Sequence, residues 1–195
     1  MSGSHEELPV AARVRQLEER VIGAGLATDA ELDEFLARLY AGATPVNGAR
    51  MVARAWADEE YAARLLADGN AAAAELGLGG QDGLGYRLRV VANVPGRHNL
   101  IVCTLCSCYP VSLLGPSPSW YKSLAYRSRA VREPREVLAE FGLELPPGTE
   151  IAVWDASAET RYLVVPARPA GTDGLPEDKL AALVTRDGLI GTSAV

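Results

Sequence analysis

Apolar residues near the start of the chain recur with helical spacing. Val10, Val14, Leu17 and Val21 fall on one face, and Gly23 and Gly25 end the pattern. Thr28-Asp29-Ala30-Glu31 carries a capping-box signature, Thr at the cap and Glu three residues on. Behind it Leu32, Phe35, Leu36 and Leu39 form a second stripe, which Gly42 and Pro45 stop. A third helix is predicted over residues 48–56. A fourth runs from Asp58 through Tyr61, Leu65 and Leu66, and a short Ala-rich continuation over 71–76 ends at Gly77. Helices this short, with narrow apolar faces, are marginal alone. They pack on the rest of the chain or bury a face on a partner subunit, and pattern alone leaves both open.

Residues 77–85 contain five glycines in nine. They read as a loop: no Lys-Ser/Thr pair completes a P-loop, and a helix precedes where a dinucleotide fingerprint needs a strand. The period then changes. Residues 87–92 alternate in part, Asn93-Val94-Pro95-Gly96 makes a turn, and 98–102 is a short apolar strand. Residues 109–119, with three prolines and a glycine, predict a long stiffened loop. Pro134 to Phe141 predicts a helix with Pro in its first turn and Gly142 past its end. Strands follow over 150–155 and 160–165, joined by a turn around Ala156-Ser157-Ala158, and a last helix covers 176–184.

Composition narrows the function. The 195 residues carry 25 acidic and 19 basic side chains, a net charge of −6. A general nucleic-acid binder shows the opposite balance. No apolar run approaches the ~18–20 residues that span a bilayer. The polar, acidic start lacks the basic and apolar segments of a signal peptide. The expectation is a cytoplasmic protein that binds neither nucleic acid nor membrane.

The three cysteines all sit within six residues, in Val102-Cys103-Thr104-Leu105-Cys106-Ser107-Cys108-Tyr109-Pro110. An odd, clustered set is a poor disulfide framework and points to metal or redox chemistry. Structural zinc wants a fourth Cys or His, and only His5 and His98 exist elsewhere. Three buried thiols acting as small hydrophobes are the bland alternative. The single residue between Cys106 and Cys108 favours a third arrangement. A tight bend there brings the amide nitrogens of Ser107 and Cys108 close to whatever the sulfurs hold. Thiolates with main-chain amides form a strong-field set suited to a trivalent metal.

Cys-Thr-Leu-Cys-Ser-Cys followed by Tyr-Pro resembles the metal-binding claw of nitrile hydratase alpha subunits. The likeness extends over most of the chain. It takes in Asn47-Gly48-Ala49-Arg50, Ala74-Glu75-Leu76-Gly77, His98-Asn99 and Trp120-Tyr121-Lys122-Ser123. It continues through Tyr126-Arg127-Ser128-Arg129, Val131 to Arg135, Val137 to Gly142, Arg168 to Thr172 and Val184 to Asp187. The resemblance implies an α+β fold: a helical arm over residues 1–77 that contacts a partner subunit, then a layered α/β catalytic domain over 78–195. It implies metal held by Cys103, Cys106, Ser107 and Cys108: the three cysteine sulfurs and the backbone amides of Ser107 and Cys108. Cys106 is expected at the sulfinic and Cys108 at the sulfenic level, both catalytic. Thr104 between the first two cysteines matches the cobalt type, where the iron type usually has Ser. Co(III) is therefore favoured, with Fe(III) the alternative.

The implied activity is that of a lyase hydrating a nitrile to its amide, active only with a beta-type partner, one chain or split into two. A heterodimer or a dimer of heterodimers, and a metallochaperone or activator, are the expected associates. The sequence departs from the family after Tyr-Pro, where Val111 replaces the usual Trp, and the expectation is room for a bulky or heteroaromatic nitrile. The thiocyanate hydrolase gamma subunit shares the claw but carries Arg at that point, sensible for an anionic substrate. A non-catalytic metal or redox module is the non-enzyme alternative.

The resemblance further implies Gln81 and Arg161 as candidates for supporting positions near the claw, beside Thr104 and Val111 at the substrate pocket. Lys122, Arg127, Arg129, Arg132 and Arg135 form a basic stretch opposed only by Glu133. In an acidic chain it reads as a solvated or interface face with salt bridges. Tyr109 and Trp120 read as packing residues, and His98 as a strand residue bonded locally.

Overall fold

The computed structural model describes residues 9–79 and 84–195. The chain divides into two compact units, Met1–Ala41 and Gly42–Val195.

The first unit holds α1 (Val10–Gly23) and α2 (Asp29–Tyr40). The capping box is complete: the Thr28 hydroxyl accepts from the Glu31 N–H, and the Glu31 carboxylate accepts from the Thr28 N–H at 2.8 Å. Val14, Leu17, Phe35 and Leu36, which carry the helical stripes, are exposed.

The second unit begins well before the boundary expected at residue 77. Its first elements are α3 (Pro45–Ala57), α4 (Glu59–Ala67) and α5 (Gly69–Glu75). Met51, Val52, Tyr61, Leu65 and Ala72 on these helices are fully buried in its core, so only α1 and α2 lie outside it. Pro45, read as a stop, instead opens α3 at its first turn, with the Thr44 hydroxyl accepting from Val46 N–H. Gly48 lies inside α3 because nothing larger fits. An added Cβ would sit 2.8 Å from Leu189 Cδ1 and 3.1 Å from the Leu113 carbonyl oxygen.

Four strands follow in two parallel pairs. Strand β1 (Arg87–Ala92) pairs with β4 (Thr160–Val165), and β2 (Arg97–Val102) with β3 (Glu150–Asp155). The strands flanking the turn at Ala156 therefore do not pair with each other; that turn carries the chain from one pair to the other. The register sets Val102 opposite Asp155 and Leu88 opposite Arg161. One end of the sheets thus gathers the exit of β2, the last residue of β3 and the start of β4. Helices α7 (Leu124–Arg132) and α8 (Pro134–Glu140) follow the cysteine loop, and α9 (Glu177–Leu183) and α10 (Arg186–Ile190) close the unit. Along β2, Gly191 (φ +91°) passes so close to the Asn99 carbonyl that a Cβ would collide with it. This architecture is mixed helix and small sheet, an α+β fold.

The long loop expected over 109–119 contains helical turns: α6 (Val111–Leu114) and a 3-10 turn over Ser119–Lys122. Leu113 and Leu114 are fully buried, which converts the Pro110-led segment from loop to helix. Asn47 fastens it from α3, donating Nδ2–H to the Ser112 carbonyl at 2.9 Å.

Candidate metal centre

Strand β2 delivers the chain into the cysteine loop. The Ala156 N–H donates to the Val102 carbonyl at 2.7 Å, the last bond of the β2–β3 edge. Beyond it the backbone curls. The Cys103 and Cys106 sulfurs lie 3.4 Å apart, and those of Cys106 and Cys108 3.0 Å apart. All three fall within 4.8 Å of one another, the one such cluster of candidate ligands among the described residues. Cys103 is fully buried and Cys108 nearly so, whereas Cys106 is exposed at the lip. The Cys106 N–H points back at the Cys103 sulfur, 3.4 Å away, and the N–H groups of Ser107 and Cys108 face the Cys106 sulfur.

Hydrogen bonds from the Cys108 and Cys103 thiols pull the Cys106 thiol down to about 7. Burial, and then the bond to Cys106, push Cys108 up to about 12, against the pull of the Arg161 charge. The loop thus stabilises one thiolate at its open edge and resists a second within it. A soft cation would relieve that resistance, since the thiolate is the form that binds metal. The donor set is all sulfur, with main-chain nitrogen interleaved, and fits a thiophilic transition metal. Zinc would want a fourth side chain. His98 does not supply it: Nε2–H donates to the Gly191 carbonyl at 2.7 Å, and Nδ1 accepts from Asn93 Nδ2 at 3.2 Å.

The loop is held from several sides. Asp155 accepts the Thr104 N–H at 2.9 Å and the Thr104 hydroxyl at 2.6 Å, so Thr104 turns its side chain to β3. Arg127 donates Nε–H to the Cys103 carbonyl at 3.1 Å and Nη2–H to the Thr104 carbonyl at 2.7 Å. The Tyr121 hydroxyl donates to the Cys108 carbonyl at 3.0 Å, and burial pushes that phenol well above its ordinary value. Tyr109 packs edge-on against Tyr121 with ring centres 5.1 Å apart, and Trp120 meets Tyr126 and Phe141 in the same manner, forming an aromatic floor.

Arg161 lies with its guanidinium 5.5 Å from the centre of the Tyr86 ring. Its Nε and Nη1 atoms are buried and meet no partner among the described residues. The Tyr86 hydroxyl shares a 2.7 Å hydrogen bond with Ser112, one residue past Val111 at the start of α6. Gln81 lies outside the described residues. The basic stretch carries the expected ion pairs at Arg129, which meets Glu133 and Glu140. Arg127 and Arg135 are instead spent on main-chain carbonyls.

Three supports of the loop, Asp155, Arg127 and Tyr121, are not singled out by the sequence pattern. Asp155 becomes legible once β2 and β3 are known to run parallel in register, because an Asp closing an apolar strand then stands beside the loop's first residues. Arg127 has no such signal, being one arginine in a run of four.

Known proteins resemble this chain over nearly its whole length. Residues 8–193 match the family described as nitrile hydratase, alpha chain. The low-molecular-weight cobalt-containing nitrile hydratase alpha subunit of Rhodococcus rhodochrous is 50% identical over 190 residues, 97% of this chain and 90% of that one. The thiocyanate hydrolase gamma subunit of Thiobacillus thioparus is 49% identical over 158 residues, 76% of this chain and 65% of that one. A histidine double mutant of the Fe-type nitrile hydratase of Comamonas testosteroni Ni1 superposes with a TM-score of 0.86 at 42% identity, covering 96% of this chain and 92% of that chain.

Proposed function

The chain belongs to the nitrile hydratase alpha-chain family, and on that premise we propose that it hydrates a nitrile to the corresponding amide at a cobalt site, working with a beta-type partner subunit. The observation that carries this reading is the convergence of the Cys103, Cys106 and Cys108 sulfurs within 4.8 Å at the lip of the second unit.

Cobalt supplies Lewis acidity toward a nitrile nitrogen or a water when it is bound. The chain's residues hold and orient. Cys103, buried and backed by Arg127, anchors the inner side, and Cys106 and Cys108 with the Ser107 and Cys108 amides complete the grip. Cys106 at the sulfinic and Cys108 at the sulfenic level would carry oxygens needing hydrogen-bond donors. Arg161 offers Nε–H and Nη1–H, buried and unclaimed among the described residues, and its charge reaches Cys108. The cobalt-containing relatives and Thr104 favour cobalt over iron.

Several features support a partner. Cys106 is exposed, and so are Leu105 (86%), Leu124 and Val131 near it. Val14 and Leu17 on α1 and Phe35 and Leu36 on α2, exposed as well, suit an arm lying on that partner. A cytoplasmic setting suits a chain whose three cysteines gather at one metal loop rather than form a disulfide framework.

Val111 stands half-buried after Tyr109-Pro110 at the start of α6; an indole there would take much more room, and this supports a bulky or heteroaromatic nitrile as the substrate class. Thiocyanate hydrolysis is the second reading, favoured by the 49% identity to a thiocyanate hydrolase gamma subunit. Val111 gives an anionic substrate no charge partner, and Arg161 is the cation left to provide one. The chain co-expressed with a beta-type subunit and cobalt, offered a nitrile panel and thiocyanate, separates the two. Amide formation without carbonyl sulfide release is expected; carbonyl sulfide as the main product overturns nitrile hydration.

A further inference from the structure

We propose that Arg127 is a positioning residue for the metal loop, its guanidinium fork setting the direction of the two peptide planes from which the loop curls. The inference rests on the cobalt reading above and adds a residue outside the ligand set to it.

In an extended strand, successive carbonyls point to opposite sides. The Cys103 and Thr104 carbonyls point the same way, since one guanidinium meets both, Nε–H at 3.1 Å and Nη2–H at 2.7 Å. Strand geometry therefore ends at Val102, and the chain turns at once. That turn lets the Cys106 N–H reach the Cys103 sulfur and brings the third sulfur within range of the first. A planar fork with fixed donor directions can impose this arrangement, where an ammonium acts as a point charge and cannot.

The peptide joining Cys103 to Thr104 is held at both ends. Arg127 takes its carbonyl, and Asp155 takes its N–H at 2.9 Å. Arg127 and Asp155 come from different elements, α7 and β3, so the loop's first peptide is a tie between them. The helix that presents Arg127 is itself fastened. Adjacent Tyr126 is buried and donates its hydroxyl to the Ile101 carbonyl at 2.6 Å, and Ser123 caps the helix start. Arg129, two residues on, is paired with Glu133 and Glu140, whereas Arg127 meets no carboxylate among the described residues. Among the described residues its cationic donors serve the loop alone.

Arg135 provides an internal control. It also spans main-chain carbonyls, those of Leu145, Pro146 and Thr149, but away from the cysteines. Replacing it removes the same kind of bond without touching the loop.

The test uses the chain co-expressed with its beta-type partner in cobalt medium, as wild type, Arg127→Ala, Arg127→Lys and Arg135→Ala. Cobalt per chain is read after a timed chelator challenge, and sulfur-to-cobalt charge-transfer bands are recorded alongside thermal melts. Groups that orient metal ligands typically change retention by about 10- to 100-fold. Arg127→Ala is expected in that range with displaced bands, Arg127→Lys to fall between it and wild type, and Arg135→Ala to match wild type in both. Wild-type retention and bands in Arg127→Ala overturn the proposal. Should that variant not fold, Arg127→Lys decides, and wild-type behaviour there overturns the role of the fork. Equal losses in Arg135→Ala overturn it too, by showing general loosening. A wild-type complex that holds no cobalt overturns the metal reading itself, a separate failure.

Discussion

Asp155 holds Thr104 twice, through the main-chain N–H at 2.9 Å and the hydroxyl at 2.6 Å. One carboxylate at the end of β3 thus reads both the backbone and the side chain of the residue between the first two cysteines. The contact faces solvent, so each bond contributes only about 1 kcal/mol, and its weight lies in orientation.

The two Asp155 bonds can be removed one at a time. Asp155→Asn keeps an acceptor for the N–H and loses the charge, Thr104→Ser keeps both donors, and Thr104→Val keeps the N–H alone. Cobalt retention is expected to fall in the order wild type and Thr104→Ser, then Thr104→Val and Asp155→Asn, then Asp155→Ala. Metal analysis of the complexes after a chelator challenge reads this order directly. An Asp155→Ala complex with undiminished retention contradicts the assignment.

Gly48 is expected to resist substitution. A methyl group there meets Leu189 Cδ1 at 2.8 Å and the Leu113 carbonyl at 3.1 Å, and backbone cannot yield as a side-chain tip can. Gly48→Ala should destabilise the complex by about 1–3 kcal/mol, seen as an earlier denaturant midpoint. Because neighbouring Asn47 secures the segment after the cysteines through the Ser112 carbonyl, turnover should drop as well.

His98 carries a pH dependence of stability. Burial lowers its pKa below the ordinary 6.5, outweighing the bond to the Gly191 carbonyl. Asn93 cannot turn to accept a second imidazole proton, because its Oδ1 already accepts from Asn99 N at 2.8 Å and Nδ2 at 3.0 Å. The unfolded chain therefore binds a proton at higher pH than the folded one. Stability is complete above about 6.5 and falls as pH drops from there toward the lowered folded value. Melting curves across that window should show the slope in wild type and a flatter one in His98→Gln.

Val111→Trp should narrow the substrate range. A ring at the start of α6 takes the space on which the bulky-nitrile reading depends. The ratio of kcat/KM for an aromatic over a small aliphatic nitrile is expected to fall by about tenfold or more. An unchanged ratio would show that the partner, not this position, sets substrate size.

The parts of the molecule readable from sequence are those set by local chemistry. The capping box at Thr28, the strand into Cys103 and the cysteine cluster each declare themselves within a few residues. The rest depends on tertiary context. Pro45 reads equally as a stop and as a first-turn residue until the capping Thr44 is recognised. Met51 and Tyr61 look like arm residues until the core they help to fill is in place. The Ala156 turn shows only that two strands are adjacent in sequence, and the parallel pairing that sets Asp155 beside Thr104 comes from contacts distant along the chain. Arg127 is one of several arginines on a polar helix, and only its reach to two successive carbonyls distinguishes it.

The central claim is that three neighbouring sulfurs grip one cobalt ion, and metal content with intact mass of the co-expressed complex tests it most directly. One cobalt per chain, with oxygen mass added to the segment containing Cys106 and Cys108, is the expected result, lost together with amide formation in Cys103→Ala, Cys106→Ala and Cys108→Ala. Stoichiometric cobalt and full turnover in those variants would contradict it.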